Sequence, residues 1–303
     1  MKLIICPTAP FDFELSTAIF SDGDREIRAY YKGKYRQVVR IANELFLIVI
    51  TSIGTVDKPR LVVEVREDTR LLGESLQIVR ETVIGLFNLN FNLMRFYKEV
   101  SPDNTMSKLI KQLRGFKSPT TQTVFEALIS SITEQQISLA AAFSIQKRIV
   151  RTFGDVIRVN KSVYYAFPKP ETLASATIEQ LRTCGLSTRK AEYIRDIAAL
   201  ISDDKLNLEK LKSYENTNEI VDELCKLRGV GDWTAELTLI RGMHKLDVIP
   251  ANDLGLKRTI SHYYCNDKKI SSKDVRSIAK KWGNWKGLAY FYLIMAERLA
   301  IEI

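Results

Sequence analysis

Two glycines placed one residue apart are the first feature of this sequence that suggests a binding function. Gly229 and Gly231 flank Val230 and lie between segments 219–227 and 233–241, whose apolar residues recur at helical intervals. Such a pair permits a tight turn and leaves bare backbone where the second helix starts, so that N–H groups of all three residues could bind a phosphate. An ordinary helical hairpin that binds nothing is the alternative.

Asp253 is the residue best placed to do chemistry. It directly precedes segment 254–264, which again has helical periodicity. An aspartate there can simply cap the helix, but the helix dipole also favours an ionised carboxylate, as needed to stabilise a developing positive charge. We therefore take Asp253 as the candidate catalytic residue. Lys257 and Arg258 follow within one turn and could contact phosphates or form a solvated basic surface.

The elements that must position these residues change in type along the chain. Segments 27–31, 37–41 and 44–53 are rich in β-branched and aromatic residues and are separated by turn-prone residues, which predicts an antiparallel sheet. Helical periodicity begins at Leu71 and dominates after about residue 105. The sequence thus predicts an α+β protein, with a small antiparallel β-rich domain over residues 1–105 and an all-α region over 106–303.

Charge and composition restrict the class of partner. The net charge is +9, but residues 1–105 hold 14 basic and 14 acidic side chains, so the whole excess lies in the second region. A basic excess confined to one region suits a polyanionic partner. With no apolar run of membrane-spanning length and no secretory signal, we expect an intracellular protein without a membrane partner. The four cysteines lack metal-ligand spacing, which predicts neither zinc nor an iron–sulfur cluster.

Four segments, in this order, resemble the helix-hairpin-helix (HhH-GPD) superfamily of DNA glycosylases, and most of all its 3-methyladenine DNA glycosylase II branch. They are residues 134–138 (EQQIS), 184–194 (CGLSTRKAEYI), 227–235 (LRGVGDWTA) followed by Asp253, and 282–290 (WGNWKGLAY). The similarity covers about residues 120–300. It implies a monomeric base-excision repair enzyme that binds double-stranded DNA containing damaged bases and is located with the DNA in the cytoplasm or nucleoid.

The resemblance also implies roles for individual residues. Asp253 would stabilise the oxocarbenium character of the sugar as the base leaves. Trp233 stands where family members that also cleave the DNA backbone carry a Schiff-base lysine, which implies a monofunctional enzyme. Trp233 and Trp285 match pocket positions whose rings attract a cationic base, with core packing as the alternative for both. Leu237 stands in place of the branch's usual pocket tyrosine, which leaves the substrate range open.

Two further sites follow from the resemblance alone. Gln136 matches the side chain that the family inserts into the gap left by the flipped base, although a glutamine on a helix surface is the alternative. The main-chain carbonyls of Cys225, Leu227 and Val230 match positions that hold a monovalent cation, Na⁺ or K⁺. No other cofactor is expected.

The resulting hypothesis is a monofunctional glycosylase that hydrolyses the N-glycosidic bond of flipped-out alkylated purines such as 3-methyladenine and 7-methylguanine. One alternative is an 8-oxoguanine-type glycosylase, which normally carries the hairpin lysine that Trp233 replaces. Another is a non-catalytic helix-hairpin-helix DNA-binding protein, which would not require Asp253 beside aromatic residues. A helical protein with no role on nucleic acid is disfavoured by the segregated charge.

Overall fold

The N-terminal region is built on a five-stranded antiparallel sheet. The computed structural model describes residues 1–41, 43–66 and 73–303. The strands, ordered β1-β5-β4-β3-β2, are β1 (Lys2–Ile5), β2 (Arg28–Tyr31), β3 (Lys34–Ile41), β4 (Glu44–Ser52) and β5 (Leu61–Arg66). The three predicted strands correspond to β2, β3 and β4, whereas β1 and β5 were not predicted. The predicted start of helical structure at Leu71 lies outside the described residues.

The β2–β3 connection shows why this part of the chain forms a hairpin. Lys32 and Gly33 both have positive φ values, 48° and 74°, which is the backbone that a two-residue hairpin turn requires. β4 is then buried on both faces. Phe46, Ile48 and other even-numbered residues join the core of the N-terminal region, while Leu47 and its odd-numbered neighbours face the opposite side.

Helices make up most of the remaining chain, which confirms the α+β class. They are α1 (Phe13–Thr17), α2 (Gly73–Leu86), α3 (Leu93–Val100), α4 (Asn104–Gln112), α5 (Val124–Glu134), α6 (Leu139–Phe153), α7 (Pro170–Ala174), α8 (Ile178–Thr183), α9 (Thr188–Ser202), α10 (Thr217–Cys225), α11 (Asp232–Thr238), α12 (Leu254–Cys265), α13 (Ser272–Ala279) and α14 (Lys286–Arg298). A π turn, Leu239–Met243, continues α11. Of the helices in the described ranges, none is both long enough and apolar enough to span a bilayer.

The residues of two hydrophobic cores are separated in the sequence near residue 90. The core beneath the sheet ends at Leu89, and the core of the helical region begins at Leu93. Consequently α3 and α4 pack with the helical region, although both begin before the predicted boundary at residue 105. A two-stranded hairpin, β6 (Val156–Val159) and β7 (Ser162–Tyr165), interrupts the helical region and packs against the outer face of β4.

Long periodic segments of the sequence are divided by local caps. The predicted helix over residues 125–150 is two helices, because Gln136 adopts a φ of +56° and the Ser138 hydroxyl caps α6 by accepting the Ala141 N–H. The segment 178–200 is divided in the same way. Gly185 has a φ of +99° there, and Ser187 caps α9.

A buried carboxylate on α11 lacks a full set of partners. Glu236 is 4% exposed, and its Oε1 pairs with Nη1 of Arg276 at 2.9 Å. Its Oε2 is buried without a hydrogen-bond partner in the described part of the chain. Burial raises the pKa of Glu236 to about 7, with Arg276 opposing the shift.

We predict that Glu236→Gln makes the protein less sensitive to pH. Between pH 4.5, the ordinary pKa, and about pH 7, the folded state keeps a proton that the unfolded chain releases, so stability falls as pH rises. Relative to the wild type, the variant should gain about 2–3 kcal/mol of unfolding free energy between pH 5 and pH 8. Denaturant unfolding at both pH values measures this difference. The exposed Glu215→Gln variant is the control, and an equal response of both variants would contradict the prediction.

Candidate active site

A wide cleft lies between the N-terminal region and the helices. Its volume of about 2680 Å³ exceeds the roughly 300–1,000 Å³ of ordinary small-ligand pockets. Five predicted site residues line it: Gln136, Gly231, Trp233, Asp253 and Arg258. The fold therefore brings residues that are more than 100 positions apart in sequence into one opening that can accept part of a macromolecule.

Asp253 lies half-buried in this cleft with both carboxylate oxygens engaged. Because it is the N-cap of α12, its Oδ1 accepts the backbone N–H of Leu256 at 2.8 Å. Its Oδ2 accepts the indole N–H of Trp233 at 3.0 Å. The carboxylate is thus held in one orientation by two neutral donors and can act as a fixed negative charge.

Trp233 owes its position to α11, the second helix of the hairpin. It lies in the first turn of that helix, is half-buried and lines the cleft. Its bond to Asp253 fixes the indole beside the carboxylate, so the ring does more than fill the core. At the position where a lysine would supply an amine, this chain presents a ring that orients the candidate catalytic residue.

Trp285 does not meet the expectation that it lines the pocket. Its indole N–H donates to Glu99 at 2.6 Å, and its ring packs edge-on against Phe91 and Phe96, with centroids 5.7 and 6.2 Å away. Among the described residues that line the cleft, Trp285 is absent. Leu237 is fully buried and is likewise absent from that wall. The early helix α3 covers Trp285, and the motif alone did not indicate this contact.

Other aromatic residues occupy the cleft wall instead. Tyr290 and Phe291 of α14 line it, as does Phe143 of α6, which remains 44% exposed. Tyr290 lies five residues after Trp285, a rotation of roughly 140° around the helix, so the two side chains face different directions. Helical spacing from Trp285 could have indicated this second face.

An ion pair unpredicted from the sequence lies in the same wall. Arg241 donates from Nη1 to Oε2 of Glu134 at 2.7 Å. Although burial opposes the charged form, the Glu134 carboxylate raises the pKa of Arg241. Burial also raises the pKa of Tyr290, and the negative charge of Asp253 adds to that shift. Arg241, Tyr290 and Asp253 all line the cleft, and the charge of Asp253 acts on both of the other groups.

The turn that carries Gln136 is bonded to both the hairpin and α9. Gln136 is exposed and lines the cleft. The ammonium group of Lys190 donates to the carbonyls of Thr133 and Gln135 at 2.9 and 2.6 Å, which satisfies the open end of α5. The side-chain amide of Gln135 donates in turn to the Gly229 carbonyl at 2.9 Å. These bonds fix the Gln136 turn relative to the hairpin.

The two hairpin glycines have different requirements. Gly229 has a φ of +87°, and an added Cβ would overlap the Tyr193 ring, so only glycine fits. Gly231 caps α11 in extended backbone, with a φ of −117° and no atom within 4 Å of an added Cβ. It is exposed and leaves the outer surface of the turn bare.

The remaining predicted binding residues do not share one position relative to the cleft. Arg258 lines the cleft but pairs with Glu297 at 2.5 Å, while Lys257 is half-buried and lies outside the lining residues that the structure describes. At the hairpin, the Leu227 carbonyl accepts the Val230 N–H at 3.0 Å. Side-chain metal sites built from three or more His, Cys, Asp or Glu residues do not occur in the described ranges.

Residues 129–284 match the family model described as HhH-GPD superfamily base excision DNA repair protein. This match spans more than half of the chain and includes the hairpin and Asp253. The chain belongs to the HhH-GPD superfamily. It shares the two-glycine hairpin and the aspartate that follows it with that superfamily.

Individual relatives of this HhH-GPD protein agree with that assignment. A DNA-3-methyladenine glycosylase of Bacillus subtilis is 29% identical over 248 residues, covering 80% of each chain. The structure of a 3-methyladenine DNA glycosylase from Archaeoglobus fulgidus superposes with a TM-score of 0.87 at 29% identity, covering 99% of this chain and 100% of the other. An 8-oxoguanine glycosylase/lyase from Clostridium acetobutylicum gives a TM-score of 0.78 at 24% identity, covering 99% and 96%, which shows the shared fold alone.

The geometry of the hairpin predicts that alanine substitutions of its two glycines differ in their effect on stability. Gly229→Ala should destabilise the protein and weaken binding to all duplexes alike, because the turn must shift away from the Tyr193 ring. Gly231→Ala should fold like the wild type, since its Cβ meets open space. Thermal unfolding and fluorescence anisotropy with an undamaged duplex measure the two effects. Equal melting temperatures for both variants would refute the structural distinction.

Proposed function

We propose that this HhH-GPD protein is a monofunctional DNA glycosylase that hydrolyses the N-glycosidic bond of alkylated purines in double-stranded DNA. The observation that carries the proposal is Asp253, held in an open cleft by the α12 N-terminus and by Trp233. The Bacillus and Archaeoglobus relatives, each named as a 3-methyladenine glycosylase, support an alkylated substrate. We propose that the enzyme acts as a monomer on cellular DNA.

Binding would begin at the hairpin. The exposed backbone of Gly231 at the start of α11 can approach a DNA phosphate without a side chain in between. Gln136, which projects from the braced turn into the cleft, would fill the gap left in the duplex. The damaged nucleotide then rotates into the cleft, at an unstacking cost of a few kcal/mol. The Gln135 side chain bonds the Gln136 turn to the hairpin, so the two proposed DNA contacts are directly connected.

The chemical step needs charge stabilisation more than a strong nucleophile. As the bond between the base and C1′ of the deoxyribose breaks, its electron pair leaves with the base and the sugar becomes cationic. The fixed carboxylate of Asp253 stabilises that cation and orients the water that attacks C1′. An alkylated purine already carries a positive charge and leaves readily. The faces of Trp233 and Phe291 would each attract it by about 0.5–2 kcal/mol.

Hydrolysis without strand cleavage follows from the residue at position 233. Schiff-base chemistry requires an amine that can reach C1′. Trp233 offers none at the family's lysine position. Lys245, further along the motif, donates instead to the Tyr214 carbonyl at 2.7 Å. The same replacement argues against the 8-oxoguanine-type alternative, and a non-catalytic DNA-binding protein would have no need of an oriented Asp253.

We also propose that the hairpin binds a sodium or potassium ion through the carbonyls of Cys225, Leu227 and Val230. The Leu227 carbonyl uses one lone pair for the Val230 N–H and retains a second for a cation. Carbonyl oxygens are suitable ligands for such ions. A bound ion would add positive charge beside the proposed phosphate contact, and no step of the chemistry requires it.

Asp253→Asn should abolish base release while DNA binding persists. Loss of the negative charge removes transition-state stabilisation worth about 100- to 1000-fold in rate, whereas affinity for duplex with an abasic site should stay within about threefold. Single-turnover release of bases from methylated DNA and anisotropy measure these quantities. Asp267→Asn, at an exposed residue outside the cleft, is the matched control. Near-normal turnover by Asp253→Asn would exclude Asp253 from the mechanism.

The product should be an intact abasic site. Strand breaks are expected only after heat or alkali, and borohydride should trap no covalent complex, because Trp233 cannot form an imine. Gel analysis with and without alkali tests this, with a family member that has the hairpin lysine as the positive control. Trapping at a yield similar to that control would show that the enzyme is also a lyase.

A further inference from the structure

The Arg241–Glu134 ion pair has no role in the mechanism above, although it lies in the wall of the cleft that holds Asp253. Glu134 is 8% exposed, and its other oxygen accepts a long hydrogen bond, 3.3 Å, from Gln146. The Arg241 side chain remains 23% exposed. Because Arg241 lines the cleft, that exposed part faces the space where a flipped base would enter.

The guanidinium of Arg241 has donors to spare. It has five N–H groups, and the described part of the structure assigns its side chain one acceptor, Glu134. Glu236 Oε2 is the buried side-chain polar atom without a partner in the described residues, so the other N–H groups of Arg241 are not sealed inside protein. Since Arg241 lines the cleft, these N–H groups are available to a ligand that enters it.

Tyr290 places a second donor beside the first. Its ring is almost buried, at 4% exposure, and it too lines the cleft. Its hydroxyl keeps its proton because burial raises its pKa and the negative charge of Asp253 adds to that shift. The wall of the cleft thus presents hydrogen-bond donors near the carboxylate that would face the sugar.

We propose that Arg241 and Tyr290 recognise an exocyclic carbonyl oxygen on the flipped base. The enzyme would therefore favour purines of the 7-methylguanine and hypoxanthine class over the 3-methyladenine class. Guanine and hypoxanthine carry an acceptor, O6, at the position where adenine carries an amino donor. An amino group facing the guanidinium would leave the Arg241 N–H groups unpaired, since arginine can only donate, and a desolvated site disfavours this strongly. This inference rests on the proposed glycosylase function and specifies its substrate.

The charge of Arg241 does not exclude a cationic substrate. Glu134 contacts the guanidinium directly, so the pair is close to neutral as seen by an alkylated base. Recognition then depends on the direction of the donors more than on net charge. This distinguishes Arg241 from the aromatic faces of the cleft, which attract any cationic purine regardless of its edge.

A single substrate pool can test the inference. DNA treated with a methylating agent contains both 7-methylguanine and 3-methyladenine, so chromatography of the released bases gives both rates from one reaction. Arg241→Met should lower 7-methylguanine release by about 10- to 100-fold, as expected for a lost specific base contact, and change 3-methyladenine release by less than about threefold. Tyr290→Phe should shift the ratio in the same direction by a smaller factor. Comparison of each variant with the wild type cancels the different intrinsic lability of the two bases.

Matched variants separate recognition from folding. Arg241→Met leaves Glu134 as a buried charge without its partner and can lower stability. The double variant Arg241→Met/Glu134→Gln removes both charges and should restore the melting temperature without restoring the ratio. Glu134→Gln alone keeps the Arg241 donors and should retain the wild-type ratio. If both Arg241 variants fail to fold, the ratio in Tyr290→Phe decides.

The experiment distinguishes failure of the proposed glycosylase function from failure of the proposed carbonyl recognition. A wild-type enzyme that releases neither base would refute the proposed glycosylase function itself. Release of both bases, with equal losses in Arg241→Met and an unchanged ratio in Tyr290→Phe, would leave the glycosylase function standing and overturn the carbonyl recognition. Hypoxanthine in a defined duplex gives an independent reading, since it carries O6 without a methyl group or a positive charge.

Discussion

The hydrogen bond from the Trp233 indole to Asp253 is the contact on which the rest of the site depends. It joins α11 to the N-cap residue of α12, so the carboxylate keeps its orientation only while those helices keep their relative position. The π turn that continues α11 packs closely against α14. Gly287 donates its N–H to the Leu246 carbonyl at 2.7 Å, and an added Cβ there would press on Ile240. The proposed chemistry at Asp253 thus relies on elements that are closely packed.

A second group of bonds joins the proposed DNA contact to the proposed site of base extrusion. Lys190 lies on α9 and holds the end of α5, and Gln135 bonds that end to Gly229. Tyr193, one turn after Lys190, packs against the same glycine. One helix therefore supports both the proposed phosphate contact and the turn of Gln136. The hairpin and the Gln136 turn are thus joined by direct contacts.

The parts of this site that sequence could predict are those with short-range signals. Asp253 opens a helix, and Gly229 requires a positive φ, and both requirements appear in a few neighbouring residues. Trp285 was expected in the pocket, but it lies outside the described cleft wall because its environment is set by α3, almost 190 residues earlier in the chain. Arg241 was missed because it lies in an apolar helical segment and meets Glu134 only through the tertiary fold. The local sequence determines the helices and strands, whereas long-range packing determines which of their faces come into contact.

The charges in the cleft explain why Asp253, rather than Glu126 or Glu134, suits the proposed chemistry. Glu126 and Glu134 also line the cleft, but Arg28 and Arg241 pair with them at 3.3 and 2.7 Å. A carboxylate paired with a guanidinium has its field largely cancelled at a distance. The donors to Asp253, a backbone amide and an indole, are neutral, so they orient its charge without compensating it. The field of Asp253 is therefore available to a sugar that becomes positive as its base departs.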